Sequence, residues 1–304
     1  MNYTIKPGML EIEIPAEYSG LSITEFMRQY HISGKKRNDL FLSHGVLINR
    51  KDASPAAVLQ EKDRLTFRLE PCELDYPPAD APCEVVYEDD FVYVAHKEAG
   101  ILIHDPDDRT CLASQAAAWQ QENGIRSPVR YIHRLDQETT GLVLFVKVPL
   151  LLGWYDAMLE EKKIERRYLA ITGGKGHKGQ KFTYNQKIGR DRHESGRYRF
   201  SETGKEAVTK AVVLDRKHDD LLMRCRLLTG RTHQIRVHLS GNRHPIVNDP
   251  LYGIPSSRYR NMGLWADTLI FSNPFTGERC EVHDRMNPDY AGFDLSEKGA
   301  VTNR

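Results

Sequence analysis

Residues 131–146 read YIHRLDQETTGLVLFV, a polar segment that runs directly into an apolar one. The apolar part, 142–146, predicts a buried strand. A polar turn placed against such a strand can hold a carboxylate rigidly at the edge of a cleft, and Asp136 occupies that position. Considered alone, the segment is better explained as a plain turn that Asp136 caps, with Arg134 as a surface charge. Whether Asp136 caps a turn or belongs to a functional site therefore depends on the rest of the chain.

Strand and helix patterns alternate on both sides of this turn. Strands are predicted at 85–87, 92–95, 142–146 and 212–214, and helices at 112–121 and 151–162. Residues 83–290 are therefore predicted to form one domain that mixes strands and helices.

Residues 1–70 form a predicted small α/β module. Ser22 and Glu25 fit a capping box that opens a short helix. A second helix follows Ser33 and runs to His44, with Gly45 as its left-handed stop. Strands are expected at 46–48 and 65–69.

The same module is basic, with six bases and one acid in residues 28–51. Its helix pair, followed by GVLIN at 45–49, resembles the alpha-L RNA-binding fold of ribosomal proteins. It departs from that pattern at Lys62, where glycine is usual before Asp63. An ordinary helix–turn–strand domain is the alternative. The resemblance implies RNA contacts from Lys35, Lys36 and Arg37.

Two segments join or follow these parts. Residues 71–82, PCELDYPPADAP, are rich in proline and acid and predict a linker. Residues 291–304 are predicted to be a flexible tail.

The net charge of +1 hides a strong segregation of charge. Residues 71–105 hold nine acids and one base, whereas residues 162–243 hold twenty-one bases and eight acids. A basic stretch in a nearly neutral chain is typical of a polyanion-binding surface, and arginine, which prevails here, suits phosphate contacts. A solvated charged surface is the alternative explanation.

Composition excludes several classes of protein. The five cysteines are scattered, without a C-x-x-C pair, which argues against a disulfide framework or a zinc cage. The chain has no apolar run long enough to span a bilayer, and its first residues lack the pattern of a secretory signal. We expect a cytoplasmic protein with no obligate protein partner and no membrane contact.

A second polar segment, 165–170, reads ERRYLA and places Tyr168 within a basic run. An aromatic ring between cations suits a stacked base with nearby phosphates. A strand with Tyr168 and Ala170 facing the core is an equally good explanation.

A third segment, 229–239, reads TGRTHQIRVHL. Thr229 is the predicted N-cap of a short helix that buries Ile235 and Leu239. Arg231 and Arg236 then lie on different faces, one suited to a carboxylate inside a site and the other to phosphates outside it. The two histidines of this segment lie five residues apart, and no third ligand is evident, so no metal site is expected.

Together the three segments resemble the motifs of the RluA-type pseudouridine synthases. HRLD at 133–136 with TTG at 139–141 matches the central motif, RRYLA at 166–170 the second, and GRTHQIR at 230–236 the third. The opening segment around Lys97 and the closing strands also match, except at Glu98, where proline is usual, and Trp265, where histidine is common. The similarity covers about 83–290 in order.

The resemblance implies an α+β fold with a mixed, largely antiparallel central sheet, flanking helices and a catalytic cleft. It implies isomerisation of uridine in structured RNA, without a cofactor or a metal. Asp136 matches the essential aspartate, Tyr168 the tyrosine that packs on uracil, and Arg231 the cation that keeps Asp136 charged and aimed. Arg134 resembles the arginine that fills the space left by a flipped base. Further RNA contacts are expected from His133, Arg166, Arg167 and Arg236.

Some alternatives stay open at this point. Large-subunit ribosomal RNA is expected ahead of transfer RNA as the substrate. A non-catalytic RNA-binding protein on a synthase scaffold is the main rival, although it would not need Asp136, Tyr168 and Arg231 together. A glycosylase or hydrolase fits less well, because the motifs offer one carboxylate paired with arginine and no second acid.

Overall fold

The computed structural model describes residues 1–105 and 107–295. The N-terminal part forms a five-stranded sheet with strand order β1-β2-β5-β3-β4, covered by two helices. Its elements are β1 (Tyr3–Lys6), β2 (Met9–Glu13), α1 (Ile23–Gln29), α2 (Gly34–Leu42), β3 (Val46–Ile48), β4 (Lys51–Asp52) and β5 (Arg64–Arg68). The small α/β module expected from the sequence is present.

Both module helices begin where the sequence predicts. Ser22 Oγ accepts from Glu25 N at 3.2 Å, and the Glu25 carboxylate accepts from Ser22 N at 2.8 Å, which completes the capping box. The end of α2 differs from the prediction, because His44, with φ 52°, takes the left-handed conformation instead of Gly45. Gly45 is needed for space, since a Cβ there would lie 3.1 Å from the Leu40 carbonyl oxygen.

The larger part is built on a nine-stranded sheet. Strands run in the order β10-β13-β14-β9-β15-β8-β7-β6, and β16 pairs with β15. Its strands are β6 (Glu84–Glu88), β7 (Val92–Lys97), β8 (Thr140–Val146), β9 (Glu165–Thr172), β10 (Lys181–Tyr184), β13 (Thr209–Lys217), β14 (Asp220–Leu227), β15 (Leu264–Ser272) and β16 (Arg279–His283). Among the strands of residues 1–105 and 107–295, only β8 and β15 pair in parallel, so the predicted mixed, largely antiparallel sheet is confirmed.

Helices and a hairpin surround this sheet. The remaining elements are α3 (Leu112–Glu122), α4 (Leu152–Glu160), the β11 (Ile188–Arg190) and β12 (Tyr198–Phe200) hairpin, α5 (Gln234–Gly241), and 3-10 turns at Ala16–Tyr18, Pro149–Leu151 and Pro288–Tyr290. The helices predicted at 112–121 and 151–162 correspond to α3 and α4. Every residue of β8 is buried, as its apolar run predicts, and the polar turn before it is thereby held against the centre of the sheet.

One hydrophobic core extends from the module into the large sheet. It contains Phe26 and Leu65 of the module together with Phe91 and Phe275 of the larger part. The Met1 ammonium donates to the Phe275 carbonyl oxygen at 3.1 Å, which adds a polar contact at the same boundary. The module is therefore packed against the sheet through apolar surface.

Residues 71–82 form no helix or strand, as expected of a connection. They nevertheless follow the surface of the larger part: Cys72 N donates to the Arg126 carbonyl at 3.0 Å, and Ala79 N to the Ser114 carbonyl at 3.0 Å.

The prediction of a flexible tail at 291–304 is wrong for its first residues. Phe293 is 9% exposed and belongs to an apolar cluster with Leu222 and Tyr290, so burial of its ring holds the segment in place. Residues 296–304 lie outside the described residues. Within 1–105 and 107–295, no helix has both the length and the apolar character that a membrane crossing requires.

Candidate active site

Asp136 lies in a cleft of about 660 Å³ where the three polar segments of the sequence meet. The turn before β8 supplies Asp136, β9 supplies Tyr168, and the start of α5 supplies Arg236. Further residues on its lining include His133, Arg134, Arg166, Arg231 and His233. Segments up to 100 residues apart in sequence thus form one site.

The cation beside Asp136 is Arg236. Its Nη1 donates to Asp136 Oδ2 at 3.0 Å, and its side chain is 3% exposed. The Nε and Nη2 groups donate to the two oxygens of Asp249, each at 2.8 Å. Burial lowers the pKa of Arg236, but the hydrogen bonds and charges of Asp249 and Asp136 outweigh it and raise that pKa above its usual value.

This geometry corrects the assignment of Arg231 as the partner of Asp136. Arg231 Nε donates to the Glu206 carbonyl at 2.9 Å, and the side chain is exposed at the cleft wall. No ion pair between Arg231 and Asp136 exists within the described part of the chain. The predicted RNA contact of Arg236 is also wrong, because its guanidinium is buried between the carboxylates of Asp136 and Asp249.

Arg236 lies beside Asp136 in place of Arg231 because α5 begins later than the sequence predicts. The helix starts at Gln234 and is preceded by His233 with φ 56°, so Thr229 is not its N-cap. Gln234 Oε1 accepts from Arg231 N at 3.0 Å and from Thr229 Oγ1 at 2.6 Å. This compact turn directs Arg231 outward and places Arg236 in the buried first turn of the helix.

His133 braces the turn that carries Asp136. It is 6% exposed, and Leu144 N of β8 donates to its Nε2 at 3.4 Å. Burial, and next the positive charge of Arg166, lowers its pKa to about 3, so the ring is uncharged at neutral pH. The RNA contact of His133 implied by the motif stays a prediction, and the residue that would make it is an uncharged ring on the cleft lining. Arg134 is exposed on the cleft lining, in position to meet RNA.

Alternation along β9 separates the two arginines that precede Tyr168. Arg166 and Tyr168 share the cleft side of the strand, whereas Arg167 lies on the other face, where its Nε donates to Glu165 at 2.7 Å and its Nη1 approaches Glu281 at 3.5 Å. Arg167 therefore lies outside the cleft lining, and its predicted RNA contact stays a prediction. Tyr168 is 4% exposed, and burial raises its pKa, so its hydroxyl stays protonated at neutral pH.

The basic residues of the module lie outside the cleft lining. Lys35 is exposed on α2, Lys36 is half-buried, and Arg37 Nη1 donates to the Ile32 carbonyl oxygen. Contacts of these residues with RNA stay a prediction.

Lys97, to which the sequence motifs gave no role, is fully buried behind the Asp136 turn. Its Nζ donates to three carbonyl oxygens, those of Glu98 and Ile101 at 2.8 Å and that of Gln137 at 2.7 Å. Burial lowers its pKa to about 8, although the charges of Glu138, Asp136 and Glu98 oppose the change. Lys97 thereby ties the end of β7 to the residue that follows Asp136.

We expect Lys97→Met to destabilise the fold and to slow turnover. The change leaves three buried carbonyl oxygens without a donor, at about 1 kcal/mol or more each, and frees the Asp136 turn. Urea unfolding should show a loss of at least ~3 kcal/mol. The control is Lys147→Met at the other end of β8, where Nζ contacts the half-exposed Glu88 at 2.6 Å and donates to one carbonyl oxygen, that of Asp89, at 2.8 Å, so the loss should be smaller, about 1–2 kcal/mol. Equal losses in the two variants would contradict the role given to Lys97.

Asp249 and Tyr252 were also missed. The sequence motifs contain no second acid, but Asp249 is one. It is fully buried and accepts from Arg236 and from Leu251 N and Tyr252 N at 2.9 and 3.1 Å. A carboxylate with all these donors is held as a structural partner and is poorly placed to act as a free acid or base. The only available signal was the Asp-Pro pair at 249–250, which predicts no more than a turn.

Nowhere in residues 1–105 and 107–295 do three or more His, Cys, Asp or Glu side chains gather in a way that would hold a metal ion.

Comparison with known proteins adds independent findings. Residues 91–241 match the family described as RNA pseudouridylate synthase. The chain is 34% identical over 275 residues to the uncharacterized RNA pseudouridine synthase YhcT of Bacillus subtilis, covering 88% of this chain and 91% of that protein. It is 32% identical over 250 residues to the ribosomal large subunit pseudouridine synthase D of Xylella fastidiosa, covering 79% of this chain and 69% of that protein.

A solved structure supports the same relationship. Human RNA pseudouridylate synthase domain containing 1 superposes with a TM-score of 0.56 at 26% sequence identity. The superposition covers 69% of this chain and 86% of the human one.

Proposed function

Because this chain belongs to the RluA family of RNA pseudouridine synthases, isomerases that convert uridine to pseudouridine in RNA, we propose that Asp136 performs this isomerisation on a structured segment of large-subunit ribosomal RNA. The observation that supports this assignment most strongly is the one-sided hydrogen bonding of Asp136. Oδ2 accepts from Arg236, whereas Oδ1 has no hydrogen-bond partner within the described residues and remains available to a substrate.

The reaction needs such a carboxylate. The bond between uracil N1 and ribose C1′ breaks, the base turns, a bond from C5 to C1′ forms, and C5 loses its proton. Asp136 acts either as a nucleophile at C1′ or as a base that removes the proton on C2′. Both roles require a charged carboxylate with a free oxygen, held in place by a cation that does not cover it.

Tyr168 is suited to hold the uracil. Its ring lies on the cleft lining, and the hydroxyl, protonated because burial raises its pKa, is a poor base at neutral pH. We infer that Tyr168 acts through the face of its ring, against which a flipped base can pack.

The cleft wall supplies cations for the RNA backbone. Arg134, Arg166 and Arg231 line the cleft, and Lys162 lies at its edge. Their contacts with phosphates predict binding that weakens steeply with salt.

The choice of ribosomal RNA rests on relatives. Three of the proteins similar to this chain are named ribosomal large subunit pseudouridine synthase D. The test is to map pseudouridine in ribosomal and transfer RNA from cells with and without this protein. A ribosomal position that is lost with the protein supports the proposal, whereas loss only in transfer RNA would reassign the substrate. An absence of any change, together with no tritium release from RNA labelled at uracil C5, would favour the non-catalytic RNA-binding protein.

Arg134→Ala should slow the modification of a uridine within a stem more than that of a uridine in a flexible strand of the same sequence. Flipping a stacked base costs a few kcal/mol, and we propose that Arg134 offsets part of this cost by filling the vacated space. We expect about a tenfold lower single-turnover rate on the stem and less than about twofold on the flexible strand. Arg130→Ala is the control, because Arg130 pairs with Asp75 away from the cleft. An equal effect of Arg134→Ala on both RNAs would rule out this role.

A further inference from the structure

His233 has an uncommon position beside the catalytic carboxylate. Its backbone takes φ 56°, a left-handed conformation that it shares with nine other non-glycine residues of the described part of the chain. Its Nε2 lies 4.0 Å from Asp136 Oδ2, and its Nδ1 lies 2.9 Å from the Tyr252 hydroxyl. Both nitrogens of the ring are therefore directed at specific groups.

The contacts of the Tyr252 hydroxyl favour one tautomer of His233. This hydroxyl accepts from Tyr198 N at 2.7 Å, and within the described residues its own proton has no acceptor except His233 Nδ1. Burial lowers the pKa of His233, although Asp136 opposes the change, so the ring is neutral. A neutral ring that accepts at Nδ1 must carry its proton on Nε2, which faces Asp136.

The separation of 4.0 Å between Nε2 and Oδ2 is too long for a hydrogen bond but leaves room for one shared oxygen atom. That oxygen must accept from the Nε2–H group and donate to the carboxylate. A uracil carbonyl cannot donate, whereas a hydroxyl can do both. In a nucleoside whose C1′ is at Asp136, the adjacent hydroxyl is the ribose 2′-hydroxyl, the group that distinguishes RNA from DNA.

We propose that His233 and Asp136 jointly bind the 2′-hydroxyl of the target uridine, and that His233 thereby determines selectivity for ribose over deoxyribose. Tyr252 is the positioning residue that holds His233 in the required tautomer. Its ring lies against the guanidiniums of Arg236 and Arg197, at 5.2 and 5.4 Å, and its hydroxyl is tied to the β12 strand. This inference rests on the proposed function and extends it to substrate choice.

The first test compares two synthetic RNA stem-loops that contain the uridine modified by the wild-type protein, labelled with tritium at C5. One carries ribose and the other 2′-deoxyribose at that uridine. Deoxy substitution removes two hydrogen bonds, and we expect a roughly 100-fold lower single-turnover rate with the wild type. In His233→Asn the 2′-hydroxyl contacts only Asp136. Deoxy substitution then removes one hydrogen bond, so the rate penalty should fall to roughly tenfold. An unchanged penalty in His233→Asn would overturn the proposal.

The choice of replacement separates recognition from a purely structural role. Asparagine tolerates the left-handed conformation well, but its amide reaches only the position of Nδ1. Glutamine fits that conformation less well, yet its amide reaches the position of Nε2. We expect His233→Gln to retain more of the ribose selectivity than His233→Asn. The reverse order would show that His233 matters for the backbone alone.

A second test addresses the tautomer without relying on turnover. Long-range proton–nitrogen NMR of the free protein should show the proton of His233 on Nε2 in the wild type and a mixture of tautomers in Tyr252→Phe. That variant should lower kcat about tenfold with little change in KM. The matched control is Tyr184→Phe, which removes a similar hydroxyl contact, 3.2 Å from His244 Nδ1, outside the cleft lining and should leave kcat unchanged.

Loss of the proposed function and loss of the role of His233 alone would give different results. A wild-type protein that modifies no RNA would remove that function. An active wild type with the His233 proton on Nδ1, or an equal loss in Tyr184→Phe and Tyr252→Phe, would overturn only the role of His233 and Tyr252.

Discussion

Asp136→Asn is expected to release no measurable tritium from RNA labelled at uracil C5, while it binds that RNA with nearly wild-type affinity. The amide can neither attack C1′ nor remove a proton from C2′, so we expect a loss of at least roughly 10³-fold in turnover. Folding should be retained, because Arg236 keeps both of its hydrogen bonds to Asp249. A thermal melt and a filter-binding titration would establish both points.

Glu138→Gln is the matched control for this variant. Glu138 is a carboxylate in the same turn, but it is absent from the cleft lining, and its change should leave turnover within about twofold. Turnover by Asp136→Asn above a few per cent of the wild type would exclude Asp136 as the reacting group.

The second large effect is expected from Arg236→Ala. This change leaves the fully buried carboxylate of Asp249 without its cation, and removal of one partner of a buried ion pair typically costs about 3–5 kcal/mol. It also removes the hydrogen bond that aims Asp136, so turnover should be lost. Urea unfolding and single-turnover kinetics measure the two effects separately.

A double variant separates stability from chemistry at this position. Arg236→Met with Asp249→Asn removes both buried charges, while the asparagine can still accept from Leu251 N and Tyr252 N. We expect it to recover part of the lost stability without any recovery of turnover.

Arg231→Ala provides the contrast. This exposed side chain has a carbonyl contact, and its loss should change stability by less than about 0.5 kcal/mol. Its effect should appear mainly as a higher KM that depends on salt. If Arg231→Ala abolished turnover at saturating RNA and Arg236→Ala did not, the assignment of the two arginines drawn from the structure would be wrong.

The positions of Asp136 and of the central strand could be predicted because each depends on adjacent residues. An unbroken apolar run at 142–146 requires a buried strand, and the polar turn before it has to lie at the end of that strand. The face of Tyr168 could not be predicted in this way, because every residue of β9 from Tyr168 onward is buried and a ring facing the core was an equally good explanation.

The partner of Asp136 could not be predicted, because it depends on where α5 begins. The left-handed conformation of His233 delays the helix by several residues relative to a start after Thr229, and this delay exchanges the directions of Arg231 and Arg236. Histidine is not a residue that demands a positive φ, so no local signal marks the delay. Lys97 and Asp249 were missed because their partners are distant in sequence or are backbone carbonyls, which residue identity does not reveal.

The apolar core that joins the module to the large sheet has a consequence for how uridines are chosen. Separation of the two parts would expose Phe26, Phe91 and Phe275 to water, so the module cannot swing as a tethered arm. We therefore expect the spacing between α2 and Asp136 to be kept when RNA binds. An RNA anchored on the module can present only those uridines that lie at this spacing, so similar neighbouring uridines would be distinguished by distance and not by their sequence.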